Sequence, residues 1–172
     1  GWNTGLVLDV SDAKLAGDPA YFNNTAPTSS VFSIGDTGQI GNGNTLAYLW
    51  HDVPGLQKFG SYKGNGDNDG PFVEVGFRPT LLWIKNADTG NETWCVHDDQ
   101  RDKFNPAKHR LSIESDSAQD ASQSARNKDF LSNGFKIRGT SGEQNTSGET
   151  YIYAAWATAP SIDLYGGGAG AR

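Results

Sequence analysis

The chain contains no methionine and a single cysteine, Cys95, in 172 residues. One thiol excludes an intrachain disulfide, and with it the cross-linked scaffold on which small secreted domains rely. Without a starting methionine, Gly1 is expected to have been exposed by processing or to have belonged to a longer chain. Positive charge is also scarce: 14 Lys and Arg stand against 20 Asp and Glu, a net charge of −6, with a pI near 4.9. That balance argues against nucleic-acid binding, which needs a basic face. No stretch approaches the roughly 20 apolar residues of a membrane span. No signal-peptide pattern is visible either, so membrane insertion is not expected.

Mean hydropathy is −0.58 and only 35% of residues are hydrophobic, yet 11% are aromatic. Few but large apolar groups suit thin β-layers, where rings supply much of the buried area. The 22 glycines and 7 prolines exceed ordinary usage without reaching the level of disordered chains. A folded, turn-rich protein is expected.

The pattern is organised around Phe59–Lys85. Phe72–Phe77 is short, β-branched and aromatic, and Leu81-Leu82-Trp83-Ile84 is a continuous apolar run. Both read as strands. The polar, glycine-rich segment Lys63–Gly70 precedes them and Pro79 interrupts them, so the centre reads as hairpin-like. Further strands are expected at 1–10, 31–34, 45–50, 92–97, 111–113, 135–138 and 150–156, by alternation and β-branched or aromatic content. Residues 11–30 read as loop with one helical turn near Asp12–Ala16, residues 115–127 as loop, and 130–134 as a turn with a hydrophobic anchor. The fold class expected is all-β: antiparallel sheets in a β-sandwich or jelly-roll-like arrangement, with two related sheet units.

Those units come from an internal repeat. Phe32-Ser33-Ile34 recurs as Phe135-Lys136-Ile137, and Gly43-Asn44-Thr45 as Gly148-Glu149-Thr150. Trp50-x3-Pro54 recurs as Trp156-x3-Pro160. The offsets drift only in turns, where insertions cost little. The expected organisation is a partial N-terminal sheet unit over 1–58 and a complete β unit over 59–165, forming one compact domain. A glycine-rich tail over 166–172, with few side chains to bury, is expected to be flexible.

The run from Lys58 to Pro79, K-F-G-S-Y-K-G-N-G-D-N-D-G-P-F-V-E-V-G-F-R-P, is followed by L-L-W-I-K at 81–85, D-F-L-S-N-G-F-K-I-R at 129–138 and T-Y-I-Y-A-A-W-A-T-A-P at 150–160. In that order these blocks resemble a domain of uncertain function in tailed-phage virion proteins. It is frequent in tail-fibre-like and other structural proteins of marine phages and cyanophages. The resemblance covers about 43–172 and brings no catalytic or binding residues with it. It implies a virion location, a homo-oligomer (a trimer, as is usual for such fibres) and contacts with other virion proteins.

Chemical motifs are weak. Asn65–Gly70 fits the first half of a calcium loop, but its twelfth position is Gly76 and Glu74 falls two residues early, so it reads as a polar turn. Ser11-Asp12-Ala13-Lys14 matches S-x-x-K without the partner motifs that chemistry needs. His51-Asp52 and His97-Asp98-Asp99 put a base beside acids, but each follows a strand and reads as strand rim. The histidines are too scattered for zinc, and Cys95 reads as a small core residue. The acid pairs Asp67/Asp69 and Asp98/Asp99 are the candidates for glycoside hydrolysis. Trp50, Trp83, Trp94 and Trp156 are expected in the core, leaving Trp2, Tyr62 and Tyr165 free to stack on sugar. The glycosylation sequons at Asn23, Asn91 and Asn145 carry no meaning for a phage protein made in bacteria.

No catalytic, cofactor-binding or metal-ligating residue is assigned, and no enzyme activity is expected. The leading expectation is a virion structural protein, either a tail fibre or appendage or a capsid decoration subunit. The alternatives are a carbohydrate-binding domain that recognises a host surface glycan, and a polysaccharide depolymerase.

Overall fold

A computed structural model describes residues 4–17, 21–35 and 44–158. Two antiparallel sheets pack face to face. The larger holds β3 (Gln57–Lys63), β10 (Thr150–Trp156), β5 (Leu81–Asn86), β6 (Cys95–Asp98) and β7 (Leu111–Ser112), in that order. The smaller has the order β4 (Phe72–Glu74), β9 (Gly134–Ile137), β8 (Lys128–Leu131). A two-stranded ribbon, β1 (Thr4–Gly5) with β2 (Leu15–Ala16), stands apart. The protein is an all-β, antiparallel, sandwich-like fold.

Period-2 alternation selects the core. On β10, Tyr151, Tyr153 and Ala155 are buried while Ile152, Ala154 and Trp156 are half-exposed. Leu82 and Ile84 of β5 join the buried set, and Val73, Phe135, Ile137 and Phe130 of the smaller sheet face them across the sandwich. Phe135 meets Tyr153 and Tyr62 edge-on, at centroid separations of 5.4 and 6.0 Å. Such pairs add to the area they bury.

The centre is not a hairpin. β4 and β5 lie in different sheets. The glycine-rich turn after β3 carries the chain into the smaller sheet, and Val75, Phe77 and Pro79, all buried, carry it back. The turn is anchored by Asn145, which is fully buried. Its Oδ1 accepts from Asn65 N at 2.8 Å, and its Nδ2 donates to Asn65 Oδ1, Asp67 O and Gly139 O at 3.1, 2.8 and 2.9 Å.

Local expectations fare unevenly. Thr150–Trp156 is a strand over the expected residues, and strands lie within or beside 92–97, 111–113 and 135–138. β3 was not expected, because Gly60 and Ser61 dilute its pattern. The turn at 130–134 is really a hairpin, with strands on both sides of Ser132-Asn133. The helical turn near 12–16 is instead β2, and 1–10 contributes only Thr4–Gly5 among its described residues. Residues 31–34 and 44–50 form no strand. The later copies of those repeated blocks are β9 and β10, so only the later copies hold sheet positions. The tail at 166–172 lies outside the described residues.

The arm at 44–50 leaves the sheet for a local reason. Val53 and Gln57 exchange backbone hydrogen bonds at 2.9 and 3.0 Å around Gly55, which has φ +73°, and so start a hairpin against β3. Asp52 Oδ1 then takes the Phe59 N–H at 2.9 Å, and its carboxylate pairs with Lys58. A side chain thus occupies the ladder donor that would otherwise extend the hairpin, and the chain diverges.

Candidate interaction surface

The outer face of the larger sheet is apolar. Ala154 on β10 pairs with Phe59 on β3 and with Trp83 on β5. A methyl group between two rings makes a trough. Trp156 closes one end, edge-on to Phe59 at 5.6 Å and to Trp83 at 5.3 Å. Ile152 and Trp94 complete a cavity of about 240 Å³ that is almost wholly apolar.

The β5–β6 side of this face already holds another stretch of chain, the loop between β1 and β2. Trp94 Nε1 donates to Val7 O at 3.0 Å, Lys85 Nζ to Ser11 O at 3.1 Å, and Lys14 N to Ala87 O at 2.9 Å. Residues 7–14 therefore run as a strap over that side. Lys85 is fully buried beneath it, and burial lowers its pKa. The S-x-x-K match is part of this strap: Ser11 contributes its carbonyl, and Lys14 pairs with Asp88. The β3–β10 side is the part left open.

Just before β3, the arm exposes Leu46 (75%), Tyr48 (70%), Leu49 (74%) and Trp50 (59%). Leu46, Tyr48 and Trp50 are two residues apart, so an extended backbone puts them on one face. The Tyr48 and Trp50 rings stack at 6.2 Å. Trp50 therefore lies outside the core where it was expected. Trp83 and Trp156 line the trough, and of these four tryptophans Trp94 alone is buried.

The titratable candidates do not converge. His51 is exposed. His97 is not a rim residue but is fully buried, because position 97 on β6 faces inward with Cys95. Lys128 Nζ lies 3.0 Å from each of its ring nitrogens. Burial, then the neighbouring Lys128 charge, drive the His97 pKa well below its ordinary value. Burial pushes Lys128 down to about 8 and the Cys95 thiol up to about 11. Glu143, which bonds Arg126 at 2.6 Å and Arg110 at 3.4 Å, closes this sealed cluster. The sequence gives no warning of it, since Lys128 and Glu143 sit in polar stretches.

The acid pairs are neutralised separately. Asp98 pairs with Arg101, and Asp99 with Arg78 at 2.7 Å. Asp69 pairs with Lys136 at 2.9 Å, which lowers its pKa. Asn65 Oδ1 and Asp67 Oδ1 accept turn N–H groups at 3.0 and 2.8 Å. Among the described residues, no three metal-ligating side chains cluster. Tyr62 is not free to stack on sugar: its ring lies on Tyr151 at 5.2 Å and its hydroxyl donates to Gln144 O at 2.8 Å. Trp2 and Tyr165 lie outside the described residues.

Residues 1–160 match the family model described as a domain of unknown function, DUF7483. The chain belongs to this family. No curated protein and no solved structure matches it. The DUF7483 match takes in the strap, the arm and all of β1–β10, so the trough and the arm belong to one family unit.

Proposed function

We propose that this chain is a structural subunit of a tailed-phage particle, a tail-fibre or appendage component or a capsid decoration protein, that works by protein–protein contact. The observation that carries the reading is the arm. Four large apolar side chains within five residues stand in water, in a chain with few apolar residues to spare. A cluster of that kind marks an interaction site. The sequence blocks at 58–85, 129–138 and 150–160 supply the virion context. The subunit acts as a homo-oligomer, with a trimer expected from the same resemblance, and meets other virion proteins.

The trough invites a second reading, as a platform for a host surface glycan. Rings at Phe59, Trp83 and Trp156 favour it. Sugar recognition also needs convergent polar groups, and the trough offers almost none, so protein contact is the stronger reading. Depolymerase chemistry is weaker still, since the Asp98, Asp99 and Asp69 carboxylates are each held by a cation.

The test is composition. Purified particles of a phage that encodes the chain are analysed by mass spectrometry and by immunogold labelling against the recombinant protein. Stoichiometric presence with label on tail or capsid is the expected result. A chain made during infection but absent from particles overturns the proposal.

A further inference from the structure

We propose that the arm at 44–50 of one copy seats in the Ala154 trough of a second copy, so that arm exchange holds the assembly together. The inference rests on the contact-making role proposed above and names the two surfaces involved.

Shape and chemistry match on both sides. The arm presents Leu46, Tyr48 and Trp50 on one face over about 13 Å of extended chain. The trough crosses β3, β10 and β5, about 10 Å at the usual strand spacing, with Phe59 and Trp83 as walls and Ala154 as floor. Both surfaces are apolar, the arm mostly exposed and the trough part-exposed, and neither is covered by the strap, which lies on the β5–β6 side. The strap also sets a precedent: the same sheet face already binds another segment of this protein, the loop between β1 and β2.

The area favours a pair of contacts over a single one. With about 150–250 Å² for each ring and less for each leucine, the arm exposes roughly 500 Å² of apolar surface. The trough exposes less than that, since Phe59, Trp83, Ile152, Ala154 and Trp156 are each only part-exposed, so one contact falls short of a specific interface. A two-fold pair uses two arms and two troughs, and its two arms alone bury about 1,000 Å², near the lower bound for a specific interface. A closed ring, in which each copy gives one arm and receives another, satisfies every surface equally. The occupant is thus a second copy, since the chain carries both halves of the joint.

The experiment measures self-association of the full chain by sedimentation equilibrium over a wide concentration range. Two variants accompany it: Tyr48→Ser/Trp50→Ser in the arm, and Ala154→Phe, which fills the trough. Trp83→Ser serves as a second trough variant if Ala154→Phe fails to fold by circular dichroism. The wild type is expected to associate, and each variant to associate at least about tenfold more weakly, as hot-spot aromatics do. An equimolar mixture of an arm variant with a trough variant keeps one intact contact and is expected to associate more tightly than either variant alone.

Unchanged association in the variants overturns arm exchange while leaving the contact-making role intact. A wild type that is monomeric throughout overturns arm exchange as well, and removes the homo-oligomer from the proposed function. Glycan-array binding by the monomer that Trp83→Ser abolishes assigns the trough to sugar and likewise overturns the inference.

Discussion

Individual residues carry two different kinds of burial. Asn145 is a polar side chain with every atom in use: four hydrogen bonds tie it to Asn65, Asp67 and Gly139. Removing it strands several backbone groups, each of which costs about 1–3 kcal/mol when buried and unpaired. Asn145→Ala is therefore expected to lower stability by about 3 kcal/mol in urea unfolding, without changing the fold. His97 and Lys128 are the other kind, bases held largely or partly without their protons by burial. Both have folded pKa values below their unfolded ones, so the unfolded chain binds more protons and stability rises with pH. For His97 the loss begins as pH falls through the ordinary value of 6.5. For Lys128 the gain runs from about 8 up to 10.5. Melting temperature is expected to fall between pH 7 and about 5, above the carboxylate range. His97→Gln should flatten that slope; an unchanged slope removes His97 as its source. None of these roles was legible in the sequence, where Asn145 reads as a sequon and His97 as strand rim. A side chain's partners come from distant segments, and no local pattern records them.

At the scale of elements, two close approaches join the smaller sheet and the central turn to their neighbours. A Cβ at Gly134 would stand 2.1 Å from Val73 O, and one at Gly64 would stand 2.2 Å from Thr146 O. Backbone atoms cannot yield as a flexible side chain can. Gly134→Ala is expected to splay β4 from β9 and cost about 3 kcal/mol, a large single-site effect, read as a lower urea midpoint. The turn at Asn65–Gly70 belongs to the same scale. Its oxygens already accept turn N–H groups and its last acid pairs with Lys136, so millimolar calcium should leave the melting temperature unchanged. An upward shift would show that the turn opens to bind metal. Strand existence was well marked where both faces were specified, as in β10, whose alternation survives from Thr150 to Trp156. Sheet membership was not, because Phe72–Glu74 and Leu81–Asn86 read alike while lying on opposite sides of the core.

At the scale of the whole molecule, β10 enters last and takes an interior position in the larger sheet, paired with β3 and β5 on its two sides. Truncation before Thr150 removes both ladders together with Tyr151, Tyr153 and Ala155 from the core. The shortened chain is expected to lose cooperative unfolding altogether, as followed by circular dichroism, where loss of a mere edge strand would only lower the midpoint. The same scale explains the arm. Its sequence carries the features of a strand and repeats those of β10, yet it has no ladder in this chain, and its side chains remain available for another surface.

The amino-acid order alone determined that the protein is β-rich, acidic, without disulfides, and built from short alternating segments around glycine-rich turns. These are consequences of local sterics and of period-2 hydrophobicity, which act within a few residues. Tertiary structure decided which strands share a sheet, that Ala154 forms the floor of a trough, that His97 and Lys128 are sealed inside, and that Leu46–Trp50 is left in water. Those outcomes depend on which distant segments compete for the same ladder donors and the same apolar face, and on a carboxylate, Asp52, that occupies one donor before a strand can.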